Sequence, residues 1–342
     1  MAKQVAVVIV NWNGRHHLED CLTALFAQTF TDFEAILVDN GSTDGSVKWV
    51  EAHFPQVRLI RNTWNVGFAT GNNQAIHSTD AEFVVTLNND TRAEPRWLAA
   101  LVEPIASDPT VGMVASKMLF ADRPDTINSA GIALDPVGIA WDRLGGTPDD
   151  PGERTPVEVF GPCAGAALYR RVMLDRIGLF DDDFFAYMED VDLAWRARLA
   201  GWRCLYAPAA RVYHAHSATS VEGSPFKSRL LGRNKVWLIA KNYGPTRRLL
   251  AYLPLIVLYD LAAVTFALVA RGDVHSLLGR IDGISGLPSA WRKRRAVQIL
   301  TQGNRDSPWH HHLEPPVWPW QVPRRYQHIA TIAQTIIPGV EV

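Results

Sequence analysis

Apolar and polar positions alternate along the first third of the chain with two different periods. Short strand-like apolar runs occupy 5–10, 34–38, 57–60 and 83–87. Between and after them, at 15–28, 45–53, 70–78 and 95–106, apolar residues recur every three or four positions, as in Leu18, Cys21, Leu22, Leu25 and Phe26 behind Gly14. Strands alternating with amphipathic helices predict βαβ units and a mostly parallel sheet. Beyond 110 the pattern loosens, and Gly/Pro/Asp-rich 121–156 predicts a long excursion over the sheet, a length usually tied to function. Order returns from Val157 to Val212, with a helix over Arg171–Ile177 and another from Asp190 to Ala200 closed by Gly201.

The stretch 249–270 is apolar over about the length that spans a bilayer. Pro254 and Asp260 interrupt it, and Arg247, Arg248 and Arg271 flank it. A mid-span carboxylate costs roughly 2.5–3.5 kcal/mol on insertion scales. A helix pair lying in the membrane interface or against the rest of the protein is therefore favoured over a spanning helix, with the arginines snorkelling. The Pro-, Trp- and His-rich tail from 301 has no periodicity and reads as surface wrapping, with His310-His311-His312 as a solvated loop.

The 342 residues exceed one average domain, and 47% hydrophobic content suffices for a large core. A net charge of −1 conceals asymmetry: residues 226–296 carry thirteen Lys/Arg against Asp260, Asp273 and Asp282, leaving about −11 for the rest. Such a basic region beside an acidic half points to an anionic membrane or a phosphorylated acceptor. Nucleic acid is not expected, because the arginines are not interleaved with a recognisable binding motif. Cys21, Cys163 and Cys204 show no metal or disulfide spacing and fit a reducing cytosol. The N-terminus reads as a first strand, not as an export signal.

The chemistry-bearing blocks sit where strands end. Leu37-Val38-Asp39-Asn40-Gly41-Ser42-Thr43-Asp44-Gly45-Ser46 puts two carboxylates and two glycines at a strand exit, the crevice where open α/β sheets bind ligands. It is followed in order by Asn65-Val66-Gly67-Phe68, Val84-Val85-Thr86-Leu87-Asn88-Asn89-Asp90, Tyr187-Met188-Glu189-Asp190-Val191-Asp192-Leu193 and Val212-Tyr213-His214. Over roughly 4–245 these blocks resemble family 2 glycosyltransferases, most closely rhamnosyltransferase-like members. The resemblance implies a GT-A fold, an α/β mixed sheet flanked by helices, here with a C-terminal helical, membrane-associating extension. It also implies a nucleotide-diphosphate sugar donor, probed first with dTDP-L-rhamnose, a divalent cation (Mg²⁺ or Mn²⁺), and inversion at the anomeric carbon. The expected organisation is a catalytic domain over 1–225, with a donor half to about 110 and an acceptor half beyond. A basic, apolar helical extension over 226–300 and an irregular tail over 301–342 complete it.

Sugar transfer needs a grip on the nucleotide, neutralisation of the leaving diphosphate and a base for the acceptor hydroxyl. The grip falls to Asn11, Trp12, Asn13, Asp39, Asn40 and Ser42, with Arg61, Asn65 and Gly67 at the next strand end; the resemblance places Asp39 on a pyrimidine ring. Asp44 serves equally as a helix cap. Asp90, leaving a rigid apolar strand, is the metal candidate, since a hard cation on a diphosphate takes oxygen ligands. The wider family's Asp-x-Asp is here Asn88-Asn89-Asp90, so the first carboxylate is replaced by a neutral oxygen. By resemblance His214 is the second ligand; a hydrogen-bonded strand-end histidine is the alternative, and the adjacent His216 matches less well.

Glu189, Asp190 and Asp192 fall within one turn at a helix start, where backbone donors stabilise negative charge in any case. The aromatic approach Phe184-Phe185-Ala186-Tyr187 suits a sugar pocket. By resemblance Asp190 is the base and Glu189 an acceptor-binding neighbour, with Asp192 in reserve. Gly161–Ala167 offers a small-residue surface, or a tight strand turn. Arg233, before Asn234, matches a position able to reach the diphosphate, and reads equally as a membrane-facing cation.

The blocks together point to a peripheral enzyme at the inner, cytoplasmic face of the membrane acting on a glycan or glycolipid. The alternative is a nucleotide-sugar-binding subunit without transferase activity. A sugar-nucleotide pyrophosphorylase is excluded by the missing Gly-rich basic loop at Val10–Gly14, and a dinucleotide oxidoreductase by the missing GxGxxG.

Overall fold

The computed structural model describes residues 3–215, 224–243, 246–300 and 312–316. Its first half is the predicted alternation: β1 (Val5–Asn11), α1 (Arg15–Phe26), β2 (Phe33–Asn40), α2 (Ser46–His53), β3 (Arg58–Asn62), α3 (Gly67–His77), β4 (Phe83–Leu87), β5 (Thr91–Ala93) and α4 (Trp97–Ser107). There follow β6 (Val111–Phe120), β7 (Ile127–Ser129), β8 (Ile132–Leu134), β9 (Ala140–Asp142), β10 (Val157–Glu158), β11 (Ala166–Arg170), α5 (Arg171–Ile177), α6 (Glu189–Leu199) and β12 (Arg203–His214). Four helices complete the described chain: α7 (Pro225–Asn242), α8 (Thr246–Arg271), α9 (His275–Ser285) and α10 (Leu287–Leu300).

The main sheet runs β10-β12-β6-β11-β4-β1-β2-β3, with β5 on β12 and β7 on β6. β4, β1, β2 and β3 are parallel, whereas β11 is antiparallel to both its neighbours, so the sheet is mixed. Period-two alternation in β1 creates two apolar layers. Ala6 and Val8 face the layer filled by α3, α5 and α6, and Val5, Val7 and Ile9 face the layer under α1 and α4. The polar ends of the parallel strands thereby emerge together on one edge.

The excursion 121–156 is more ordered than its composition suggests. β7 pairs with β6, and β8 with β9 in a separate two-stranded sheet. In the C-terminal region one continuous helix, α8, replaces the broken pattern expected at Pro254. Asp260 is not a bare mid-helix charge, because its carboxylate lies 2.7 Å from Lys235 and 3.4 Å from Arg280. α7 and α9 cross closely because glycines stand at the contact: a Cβ on Gly279 would fall 2.2 Å from the Arg229 carbonyl, and one on Gly283 2.7 Å from Val236. His312 is no free loop residue; it lies 3.4 Å from Glu158, and Glu314 donates its N–H to the Leu134 carbonyl at 2.8 Å. His216, His310 and His311 lie outside the described residues.

Candidate active site

At the parallel strand ends a polar mesh joins β1, β2 and β4. Asn11, opposite Asp39 in register, donates from Nδ2 to the Asp39 carboxylate (3.1 Å) and to Ser42 Oγ (3.2 Å). The Ser42 N–H donates back to Asp39 (2.9 Å), and Ser42 Oγ accepts the Asn13 N–H (2.9 Å). Asn13 Oδ1 in turn accepts the Thr43 N–H (2.8 Å). Asp44 takes N–H groups from Ser46 (3.0 Å) and Arg15 (2.8 Å), so it caps α2 and ties that loop to the start of α1. Trp12, after β1, is 42% exposed, and Trp64, after β3, is 69% exposed. Trp64 carried no sequence signal; it flanks the Asp39 loop because Gly41 packs on its backbone, where a Cβ would meet Trp64 Cα at 3.0 Å.

Three of the expected donor contacts are framework here. Asn40 is buried and bridges Asn65 (3.2 Å), the Gly67 carbonyl (3.1 Å) and Asn62 (2.9 Å). Asn65 Oδ1 accepts the Gly67 N–H (2.9 Å). Asn40, Asn65 and Gly67 thus shape the turn into α3. Arg61, the register partner of Asp39 on β3, is held in an exposed ion pair with Glu51.

The end of β4 meets the end of β12. Asp90 lies 3.2 Å from His214 Nε2, and Asn88 Nδ2 lies 3.5 Å from the same nitrogen. His214 Nδ1 is 2.9 Å from Asn128 Oδ1, a β7 residue that sequence reasoning missed. An amide oxygen only accepts, so Nδ1 carries a proton, and Nε2 is turned to the Asp90 carboxylate. Burial would raise the Asp90 pKa, but hydrogen bonding and charge from His214, with His17, outweigh it and hold it below the usual carboxylate range. One carboxylate, one imidazole and a neutral amide suit a divalent ion completed by a ligand's own oxygens. Among the described residues no three His, Cys, Asp or Glu side chains converge to enclose one unaided. His17, on the first turn of α1, has a buried Nε2 without a hydrogen-bond partner among the described residues and feels both Asp90 and His214. Asn89 turns inward instead, donating to Asn11 Oδ1 at 2.8 Å.

On the other side, α6 begins at Glu189. Asp190 accepts N–H groups from Ala164 (3.1 Å) and Val191 (2.8 Å). Burial pushes its pKa up to about 6, and the charge of Asp142 adds to the rise against those two hydrogen bonds. Glu189 is buried, with one carboxylate oxygen lacking a partner. Burial first, then the charges of Asp190 and Asp192, raise its pKa well above the ordinary glutamate value. Asp192 does not reach the site. It is fully buried against Arg196 (2.9 Å), Lys241 (2.9 Å) and Asn242 (2.6 Å), and despite burial Lys241 and Arg196 keep it ionised. The loop 161–165 closes the gap: Gly161 crosses α6 where a Cβ would lie 2.3 Å from Ala194, and Gly165 accepts the Asn88 N–H at 2.8 Å.

Arg233 reaches neither a strand end nor the exterior of α7. It donates to the carbonyls of Asp183 (3.1 Å) and Phe184 (2.9 Å) and stacks over Trp237. Its neighbour Asn234 is bound into the same turn.

The sequence profile of glycosyl transferase family 2 matches residues 6–178. An N-acetylglucosaminyl-diphospho-decaprenol L-rhamnosyltransferase of Mycobacterium tuberculosis is 31% identical over 251 residues, 66% of this chain and 80% of that protein. The O-antigen biosynthesis protein RfbC of Myxococcus xanthus is 29% identical over 63% of this chain but only 18% of its own length. Among solved structures, S. aureus TarS superposes with a TM-score of 0.57 at 16% identity over 89% of this chain and 91% of that one. The mannosyltransferase PcManGT of Pyrobaculum calidifontis, solved with GDP-Man and Mn²⁺, gives 0.52 at 19% over 99% and 89%. The likeness establishes the GT-A fold.

Proposed function

Because the chain belongs to glycosyl transferase family 2 and is a glycosyltransferase, we propose that it transfers a sugar with inversion from a nucleotide diphosphate to a hydroxyl of a lipid-linked glycan. The observation that carries this reading is the peptide Ala164-Gly165. Its first residue binds the Asp190 carboxylate and its second binds the backbone of Asn88, so a base and the Asp90–His214 pair are fixed to adjacent residues. Asp190, ionised at pH 7 yet with a pKa near 6, takes the proton of the acceptor hydroxyl. The acceptor oxygen then bonds to the anomeric carbon as the carbon–oxygen bond to the diphosphate breaks on the opposite face. Glu189, with a carboxyl oxygen that has no partner among the described residues, binds the acceptor beside it.

Asn11, Trp12, Asn13, Asp39 and Ser42 hold the nucleotide. Asp90 and His214, with Asn88, hold Mg²⁺ or Mn²⁺, which when bound neutralises charge on the departing diphosphate. L-rhamnose from dTDP-L-rhamnose is the donor we assign, supported by the similarity to the mycobacterial rhamnosyltransferase, which is named for an N-acetylglucosaminyl-diphospho-decaprenol acceptor.

The unit 1–225 carries catalysis, 226–300 holds it on the membrane, and 301–342 follows as a tail. α8 presents Leu250, Leu253, Leu258, Leu261 and Val269 outward, all exposed. With Asp260 turned to Lys235 and Arg280, α8 lies in the interface at the inner face of the cell membrane, where its flanking arginines meet anionic headgroups.

Thermal stabilisation against a panel of nucleotide sugars, each with and without Mn²⁺ or Mg²⁺, tests the donor and the ion together. A metal-dependent shift with dTDP-L-rhamnose is expected. A larger shift with another nucleotide sugar would replace the donor assignment.

A further inference from the structure

We propose that Asn234 is a positioning residue, holding the turn 184–188 in the one conformation that presents Asp190 to the acceptor; this rests on the reading of Asp190 as base. Three residues of that turn, none a glycine, sit at positive φ: Phe185 (65°), Tyr187 (67°) and Met188 (66°). Side chains disfavour this region, and such a run persists only where its surroundings over-determine it. Asn234 does the determining. Fully buried in the middle of α7, it donates from Nδ2 to the carbonyls of Phe184 (3.0 Å), Ala186 (2.9 Å) and Tyr187 (2.7 Å). Its Oδ1 accepts the Arg233 Nε–H at 2.9 Å, which fixes the amide's orientation.

The turn is held from the donor side as well. The Phe185 carbonyl accepts N–H groups from Phe68 (2.7 Å) and Ala69 (3.1 Å) at the start of α3. Gly67 packs so tightly on Phe185 that a Cβ would lie 2.6 Å from its ring. The turn is thus pinned between α3, beside the nucleotide mesh, and α7. Met188 is its last residue, and Asp190 follows within the first turn of α6. With no exposed surface, Asn234 touches no substrate and acts through this backbone alone.

The test compares full-length variants in steady-state turnover of dTDP-L-rhamnose onto an N-acetylglucosaminyl-diphospho-polyprenol. Asn234→Asp is isosteric but has no N–H to give three carbonyls; Asn234→Ala removes the clamp altogether. A displacement of about 1 Å in a catalytic group costs on the order of 100-fold. We expect kcat to fall about 10- to 100-fold with donor KM within about twofold. The acid limb of the pH–rate profile should move as Asp190 leaves the Ala164 N–H. Adding Met188→Gly to Asn234→Ala should recover kcat several-fold, because glycine adopts a positive φ without help. Should Asn234→Ala fail to melt cooperatively, Asn234→Gln keeps the amide on a longer arm and should still lower kcat about tenfold. Wild-type kcat in whichever variant folds, or a loss confined to donor KM, overturns the proposal. Wild-type activity in Asp190→Asn would instead overturn the base, and the proposal with it, a result recognised without any Asn234 variant.

Discussion

The main-chain N–H of Ala164 donates to the Asp190 carboxylate at 3.1 Å and restrains a pKa that burial raises. Burial raises the pKa, the N–H groups of Ala164 and Val191 restrain it, and the balance falls near 6. Turnover per donor should therefore rise with pH through about 6 and level off above it. Asp190→Asn should lower kcat about 10²- to 10⁴-fold, the usual worth of a general base, with donor affinity unchanged. Linkage gives stability the opposite sign. The folded-state pKa lies above the unfolded value, so this group's contribution is complete below about pH 4 and is lost as pH rises through 6. Asp190→Asn should melt higher than wild type at pH 7.5 and about equal to it at pH 4. An unchanged melting temperature at both would contradict the burial account.

Asp192, two residues on, should behave in the reverse way. Its carboxylate neutralises Lys241 and Arg196 in a dry environment and binds Asn242. Asp192→Ala leaves two buried cations short of a partner, a change that costs roughly 3–5 kcal/mol. Its folded pKa is lowered, so the ion pair's contribution is present above the unfolded pKa and lost as pH falls through the folded one. Denaturant titration should find Asp192→Ala strongly destabilised at pH 7. A stable but inactive Asp192→Ala would return the residue to the chemistry.

Asn128 offers a separate handle on the ion. By accepting from His214 Nδ1 it turns Nε2 to Asp90, and such outer partners typically alter metal affinity 10- to 100-fold. In a Mn²⁺ titration followed by thermal shift, His214→Ala and Asp90→Asn should abolish the metal-dependent increment. Asn128→Ala should move its midpoint to about tenfold higher Mn²⁺. Equal midpoints in all three and wild type would exclude this pair as the ion's site.

How far the sequence revealed all this depends on the range of each interaction. The alternation of Val5 to Ile9, the exit at Asp39 and the apolar run into Asn88 are local patterns, and the sheet and its ligand-facing edge follow from them. Asp90 and His214 are 124 positions apart, yet each ends a strand, so their meeting was foreshadowed by resemblance and is produced by β12 pairing with β5. The residue types of Asp192 and Arg233 suit an active site, while the partners the structure gives them, Lys241 for one and the Phe184 carbonyl for the other, follow from how α7 packs on α6 and the turn before it. No local pattern encodes that contact. Asn234 was the blindest case, since an amide within a basic helix has no chemistry of its own until three carbonyls converge on it. The strands β7–β9 escaped for a similar reason: two or three residues of pairing leave no period to read.

The Asp260 cluster bears on the proposed membrane attachment of the C-terminal helices. A spanning helix would carry that carboxylate and the bonded Lys235 and Arg280 into hydrocarbon, whereas α8 lying flat would keep the cluster against α7 and α9 and offer lipid its exposed apolar residues, Leu258, Leu261 and Val269 among them. In-plane attachment depends on buried apolar area and on headgroup charge together. Leu258→Glu with Leu261→Glu should therefore abolish co-sedimentation with anionic liposomes, although both residues are exposed and the melting temperature should hardly move. Neutralising Arg247, Arg248 and Arg271 should weaken binding at low salt and leave little to lose at high salt, since surface charge is screened within a Debye length. Carbonate washing should release the wild-type protein from native membranes. Retention in the membrane after that wash would mean that α8 spans, and the Asp260 cluster would then have to be buried within an assembly rather than against this chain's own helices.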